Sequence, residues 1–182
     1  MAIGATMSTF DVQLSDVDRG VYDEFTVRVA QHPSETDVFL ITRVLAYCLE
    51  YEDGIAFSEG IAATDEPAVL VRDATGALRA WIEVGAPDAE RLHLGSRAAE
   101  RTTVYTHRDP AKVVAAWAGK RIHRVEDIAV HSFDPGFLDA AAARRERRNT
   151  LSVSVIERRL YLDLNGASLE SAVHDHSADG AR

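Results

Sequence analysis

The sequence predicts a single mixed α/β domain, in which helices flank a sheet of parallel and antiparallel strands. Two observations support this class. Hydrophobic residues make up 46% of the 182-residue chain, which is enough to bury a core. Helices interrupt the predicted strands only in the middle of the chain, so an antiparallel hairpin should lead into one parallel crossover. We place the domain at residues 1–165 and expect residues 166–182 to be a flexible tail, because periodicity is lost from Asn165 onward.

The N-terminal part is predicted to hold a strand pair and a helix. Residues 6–14 and 21–30 flank a polar turn, and the second segment alternates apolar and polar residues as a half-buried strand does. Ser34 and Asp37 have the spacing of a capping box, so a helix is expected to begin at Ser34. Apolar residues at helical spacing place Cys48 on its buried stripe.

The remaining elements alternate between strands and helices. A turn ending at Gly76 predicts a hairpin, and the helix after it should connect two parallel strands. The Asp-Pro pairs at 109–110 and 134–135 each indicate a helix start. Strands are predicted at residues 55–57, 68–72, 77–85, 102–106, 125–131, 150–156 and 160–164, and helices at 87–101, 109–119 and 134–148.

Composition and missing motifs narrow the functions. The net charge of −9 argues against a protein that coats nucleic acid non-specifically, since each phosphate contact needs a cation. A single cysteine excludes an internal disulfide and a multi-cysteine zinc site, which favours a reducing cytoplasm. The sequence contains no secretion signal, no apolar run near the ~18 residues of a membrane span, no phosphate-binding glycine loop and no nucleophile elbow. It therefore predicts a cytoplasmic protein that does not enter membranes.

Four acidic residues lie near the predicted hairpin and the first helix. Glu83 shares a strand face with Trp81, in a run that otherwise indicates a buried strand, so its charge needs a partner or a metal. Asp65 and Glu66 open the preceding strand, and Glu35 lies in the first turn of the helix. Carboxylates converging at one end of a sheet suit Mg²⁺, which polarises a phosphodiester and generates a nucleophilic water.

The same acids also have a structural interpretation. Glu35 would then interact with a helix N-terminus, and Asp65-Glu66 would lie in a solvated turn. Glu83 would pair with Arg79 or Arg97. The spacing is compatible with both interpretations, so residue positions alone leave them open.

Several short motifs resemble one bacterial protein family. The resemblance is to the YaeQ family and covers about residues 1–165. That family's fold resembles the PD-(D/E)XK nuclease superfamily, which implies a helix carrying one acid, a hairpin carrying two more, and a strand-helix-strand completion. The matching motifs are His32-Pro33-Ser34-Glu35-Thr36, Asp65-Glu66-Pro67, Trp81-Ile82-Glu83-Val84-Gly85 followed by Pro87-Asp88, and Val104-Tyr105-Thr106.

The resemblance implies roles for the four acids. Glu35 matches the acid of the helix and would support the site. Asp65 or Glu66 matches the acid at the start of the second core strand, and Glu83 matches that of the third. Asp65, Glu66 and Glu83 would thus bind Mg²⁺ or Mn²⁺.

The lysine of the nuclease pattern is missing. Its position, two residues after the third-strand acid, is occupied by Gly85. A basic residue on the next helix is the expected substitute, and Arg97 is preferred over Arg91 and His93 because a helix leaving the strand should carry it back over the acids. Arginine cannot act as a general base, although it stabilises developing negative charge.

A dense basic run suggests a partner. It could contact phosphates of nucleic acid, or it could be a solvated helix C-terminus. The sequence thus supports two hypotheses: a Mg²⁺-dependent nuclease-like enzyme, and a catalytically inactive protein of the same fold that serves as a binding or regulatory module. The run consists of Arg144, Arg145, Arg147 and Arg148.

Overall fold

The computed structural model describes residues 4–58 and 65–180. It divides the chain into two compact units that alternate along the sequence. The first comprises Met1–Leu49 and Phe133–His174, and the second comprises Glu50–Ser132 and Asp175–Arg182. Both contain helices together with parallel and antiparallel strands, so the predicted mixed α/β class is confirmed.

The elements of the described residues are numbered in chain order. The helices are α1 (Asp37–Leu49), α2 (Ala89–Ala98), α3 (Pro110–Ala115) and α4 (Phe137–Ala142). The strands are β1 (Thr6–Asp16), β2 (Val21–Gln31), β3 (Ile55–Phe57), β4 (Val69–Arg72), β5 (Leu78–Val84), β6 (Arg101–Tyr105), β7 (Ala129–Phe133), β8 (Arg148–Ile156), β9 (Arg159–Leu164) and β10 (Ala167–Ser177).

The first unit is built on strands in the order β2-β1-β8-β9-β10. Strand β1 pairs antiparallel with β2, as predicted, and parallel with β8. The β8-β9 and β9-β10 pairs are antiparallel. Alternate residues of β1 are buried, namely Phe10, Val12 and Leu14, because successive side chains of a strand point to opposite faces. Helices α1 and α4 contact each other in this unit.

The second unit contains the strand order β7-β6-β5-β4-β3. The predicted hairpin is confirmed, since β4 and β5 pair antiparallel, and β5-α2-β6 is the predicted parallel crossover. A second crossover through α3 joins β6 to β7, which also pair in parallel. The parallel strands have a core on one side that consists of Leu92, Val104, Val113, Trp117, Ile122, Ile128, Val130 and Ala178.

The start of α1 differs from the prediction. The helix begins at Asp37, and its first-turn amide at Phe39 donates to the Thr36 hydroxyl at 3.1 Å. Ser34 instead contacts the His32 ring at 2.8 Å. The prediction of a capping box at Ser34 was therefore wrong, because Thr36 supplies the oxygen that caps the helix. The prediction that Cys48 is buried is confirmed, and burial raises the pKa of its thiol to about 12.

Three later boundaries also differ. Helix α2 ends at Ala98, and Arg101 opens β6 with its side chain bound to Glu50 at 2.9 Å. A 3₁₀ turn at Val125–Asp127 precedes β7, where one continuous strand was predicted. The alanine-rich helix α4 stops at Ala142, and Arg148 already belongs to β8.

The expected tail is a strand. β10 pairs with β9 over six residue positions, from Ala167 to Ala172. Asp134 also contacts β10. Its carboxylate accepts the Ala172 amide at 3.1 Å and lies 2.6 Å from His174 Nε2. The hydrogen bond to His174 lowers the pKa of Asp134. The prediction of a flexible tail after Asn165 was therefore wrong for the described residues. Residues 181 and 182 lie outside them.

Candidate functional site

A buried carboxylate near the end of β5 is the centre of the candidate site. Glu83 is 4% exposed, and its Oε1 accepts three hydrogen bonds. Trp81 Nε1 donates at 2.8 Å, and Arg91 donates through Nε at 3.1 Å and Nη2 at 2.8 Å. The bond to Trp81 confirms that these two side chains share a strand face, as the two-residue spacing predicts.

Helix α2 positions the arginine of this pair. Asp88 caps the helix by accepting the Arg91 amide at 2.8 Å, so Arg91 occupies the first turn, close to the end of β5. Burial raises the pKa of Glu83, while the charge and hydrogen bonds of Arg91 and the Trp81 N–H oppose that rise. Asp88 adds a smaller upward contribution to that pKa. Arg91 therefore favours the charged form of this carboxylate against the effect of burial.

Arg91 also holds the segment that contains the other two predicted ligands. Its Nη2 donates to the main-chain oxygen of Glu66 at 2.8 Å. The Glu66 carboxylate lies 3.9 Å from Arg72 Nη2, and Asp65 is exposed. Among residues 4–58 and 65–180, no group of three or more His, Cys, Asp or Glu side chains has the geometry of a metal site. The structure thus brings Glu66 and Glu83 to one guanidinium.

Glu35 belongs to the first unit. It is 9% exposed, and its Oε1 accepts the His32 amide at 3.1 Å. The other oxygen, Oε2, is buried without a hydrogen bond to any described residue. Burial lowers the pKa of Arg43, and the negative charge of Glu35 opposes that shift. The catalytic support assigned to Glu35 stays a prediction.

Arg97, the cation expected to complete the site, lies on another side of α2 from Glu83. Arg91 and Gly95 are four residues apart and face β5, whereas His93 and Arg97 form a separate row and line a cavity. The expectation that Arg79 or Arg97 pairs with Glu83 was wrong, since its partner is Arg91. The catalytic role assigned to Arg97 stays a prediction.

Gly95 allows α2 to pack closely on β5. A Cβ at this position would lie 2.5 Å from the ring of Trp81, which is 1% exposed and cannot move aside. We expect Gly95→Ala to lower the free energy of unfolding by about 1–3 kcal/mol, although alanine favours helices by about 1 kcal/mol. Urea unfolding measures the change. Leu94→Ala, at a position 46% exposed, is the control and should change stability by less than about 0.5 kcal/mol. An unchanged Gly95→Ala would contradict this packing.

The predicted basic run does not form one helical face. Arg145 is bound within the first unit, with Nε 3.0 Å from Asp37 Oδ1 and Nη2 2.7 Å from Gln31 Oε1. Arg144, Arg147 and Arg148 are exposed, and Arg148 lies in a strand. Arg145 therefore has a structural role. Contact of the four arginines with nucleic acid stays a prediction.

Membrane-spanning helices were not expected. In the part of the chain that the structure describes, no helix is both long enough and apolar enough to cross a membrane.

The fold and the site together define a mixed α/β protein with a buried acid held by an arginine at the end of a central strand. A family model described as YaeQ protein matches residues 1–173. The chain therefore belongs to the YaeQ family, as its motifs predicted.

Relatives and solved structures agree with this assignment. The YaeQ protein of Escherichia coli (strain K12) is 27% identical over 172 residues, which cover 93% of this chain and 94% of that protein. The crystal structure of the YaeQ protein from Xanthomonas axonopodis pv. citri matches with a TM-score of 0.86 and 27% identity, covering 95% of this chain and 98% of the other. The YaeQ protein from Pseudomonas syringae matches with a TM-score of 0.84 and 30% identity, covering 94% and 95%.

Proposed function

We propose that this chain is a catalytically inactive protein of the nuclease fold that acts as a binding or regulatory module. It keeps the third-strand acid, Glu83, but uses this acid to hold the structure together. The observation that carries the proposal is the set of three hydrogen bonds on Oε1 of buried Glu83. Two of them come from Arg91, which supplies the charge that a cation would otherwise supply. The acid is thus satisfied by the protein itself.

Chemistry at neighbouring positions supports the same proposal. Carboxylate oxygens suit Mg²⁺, but the oxygen of Glu83 that accepts from Trp81 and Arg91 would have to exchange these donors for a metal. The Glu66 carboxylate lies nearest Arg72 among the described cations, and Gly85 has no side chain to position an attacking water. The donors have the right chemical type, but their arrangement does not fit a bound metal, so we derive no catalytic step through one.

A metal titration with wild type and Glu83→Gln tests the proposal. We expect millimolar Mg²⁺ or Mn²⁺ neither to raise the melting temperature of the wild type nor to bind saturably. We expect no metal-dependent cleavage of single-stranded DNA, double-stranded DNA or RNA. Glu83→Gln keeps the side-chain shape but loses the ion pair, so it should lower the free energy of unfolding by about 1–3 kcal/mol. Saturable metal binding that Glu83→Gln abolishes, together with cleavage, would overturn the proposal.

A Mg²⁺-dependent phosphodiesterase is the second candidate. One observation favours this function. Arg91 binds both the Glu83 carboxylate and the Glu66 main chain, so two of the three predicted ligand residues lie beside one guanidinium. In this function Asp65, Glu66 and Glu83 would hold Mg²⁺ or Mn²⁺. If the wild type cleaves nucleic acid, Arg97→Ala should lower turnover by ~10² or more without weakening metal binding. Equal cleavage by that variant would exclude the role assigned to Arg97.

A further inference from the structure

A cavity lined mainly by basic residues opens on the opposite side of α2 from Glu83. Its volume is about 320 Å³, and its lining comprises two arginines, two histidines and one isoleucine. The whole chain carries a net charge of −9, so this concentration of basic groups is a local exception. The lining residues are His93, Arg97, Arg121, Ile122 and His123.

Two elements of the second unit hold these side chains in place. His93 and Arg97 are one turn apart on α2 and therefore lie on the same side of the helix. Ile122 is 9% exposed and belongs to the core of the unit, which fixes the short segment between Arg121 and His123. The cavity is thus lined by a helix and by a loop whose middle residue is anchored.

Hydrogen bonds fasten the loop to the helix. The His123 amide donates to His93 Nδ1 at 3.1 Å, which leaves the proton of the neutral His93 ring on Nε2. Arg124 Nη2 donates to the main-chain oxygens of Ser96 and Ala99, at 3.1 and 3.3 Å, where α2 ends. These contacts keep the two sides of the cavity at a defined separation before any ligand arrives.

The two arginines of the cavity have no acidic partner. Among the described residues, neither Arg97 nor Arg121 makes an ion pair or a side-chain hydrogen bond. Arg91 and Arg124, by contrast, are used to hold the protein together. A guanidinium presents several N–H donors in a planar fork, which matches the oxygens of a phosphate group.

We propose that this cavity binds the phosphate group of a small phosphate monoester. Arg97 from the helix and Arg121 from the loop would bind the dianion from two directions, and His93 would add its Nε2 N–H as a donor. The open cavity, about 320 Å³ in volume, has room for more than the phosphate group, so part of the ester would lie against Ile122. Because Arg91 and Glu83 lie elsewhere, this inference goes beyond the proposed structural role of that pair and does not depend on it.

Titration calorimetry at low salt with three probes tests the inference. The probes are inorganic phosphate, adenosine 5′-monophosphate with adenosine as its control, and a single-stranded oligonucleotide with and without a 5′-phosphate. We expect saturable binding of phosphate and of the mononucleotide, and none of adenosine. If the phosphorylated oligonucleotide also binds, and its unphosphorylated form does not, the terminal phosphate of a strand is a second source of the same ligand group. Failure of every phosphate probe would overturn the inference.

Charge-matched variants separate a built site from general attraction. Arg97→Gln and Arg121→Gln each remove one cavity guanidinium from an exposed position, and each should weaken binding about tenfold or more. Arg108→Gln removes the same charge from an exposed position of the same unit outside the cavity and should leave affinity unchanged. Equal weakening by all three variants would show non-specific attraction and overturn the inference. None of these measurements involves a divalent metal, so they fail or succeed separately from the test of Glu83.

Discussion

Replacing Arg91 with alanine is expected to lower the free energy of unfolding by about 3–5 kcal/mol at neutral pH. The variant leaves the buried Glu83 carboxylate without its charged partner, and a lone charge inside a protein costs several kcal/mol. It also removes the donor to the Glu66 main chain. Urea unfolding at pH 7 measures the loss. Arg79→Ala is the matched control, because Arg79 and Glu100 are exposed and 3.8 Å apart, and it should cost less than about 1 kcal/mol.

The pH dependence of the Arg91→Ala loss identifies its cause. Burial already raises the pKa of Glu83, so the folded state binds this proton more tightly than the unfolded chain does, and the resulting stabilisation is lost as pH rises through the folded-state pKa. Removing Arg91 raises that pKa further. The difference between wild type and variant should therefore be smaller near about pH 4, where the loss of the Glu66 hydrogen bond remains, and grow towards about pH 8. Adding Glu83→Gln to Arg91→Ala should recover stability at neutral pH. A loss that is independent of pH, or no recovery in the double variant, would contradict the ion-pair explanation.

Ending the chain at Gly166 is expected to abolish cooperative unfolding of the first unit. The shortened chain loses the pairing of β10 with β9 and exposes the backbone groups of β9. It also loses the buried residues Ser171 and Val173. Thermal unfolding followed by circular dichroism, together with soluble yield, measures the effect.

A point variant on the same strand provides the control. Glu170 is exposed and pairs with exposed Arg159 at 3.3 Å, so Glu170→Gln should shift stability by less than about 0.5 kcal/mol. A chain ending at Gly166 that melts like the full chain would mean that β10 is dispensable, as a loose tail would be.

The elements with strong local patterns were predictable from the sequence. The β4-β5 hairpin follows from alternation and a glycine turn, and the shared face of Trp81 and Glu83 follows from a period of two. The need of Glu83 for a partner was also evident, because a charge in an apolar run cannot remain unpaired. These properties depend on neighbours in sequence, so one chain is enough to reveal them.

Strand β10 has a weaker apolar pattern of its own. Within Ala167–Ser177 only Ser171 and Val173 are buried, so apolar alternation is nearly absent. The strand is held by its pairing with β9 and by Asp134, more than thirty positions earlier in the chain. A local signal was nevertheless present and overlooked: Asn165-Gly166 forms the two-residue turn between β9 and β10, with Leu164 paired to Ala167 and both turn residues at positive φ.

Predicting the partner of Glu83 correctly depended on where α2 begins. Asp88 was correctly placed at the start of α2, and counting one turn from that cap puts Arg91 beside the end of β5. The prediction of Arg97 rests on the assumption that the helix returns over the acids further along its length. Gly95, whose contact with Trp81 shows which side of α2 faces the strand, was the overlooked signal. The cavity of Arg97 and Arg121 was missed because its two sides are separated in sequence.

The parallel pairing of β1 with β8 has a consequence for the order of folding. Residues 9–16 pair with residues 148–155, and the whole 50–132 segment of the other unit lies between them in the chain. During synthesis the β1-β2 hairpin therefore emerges long before its neighbour exists, and one side of β1 stays open. A topology with such distant contacts folds slowly, and an open strand can pair with other chains in the meantime. Newly made protein should therefore depend on protection from aggregation until β8 has left the ribosome and paired with β1.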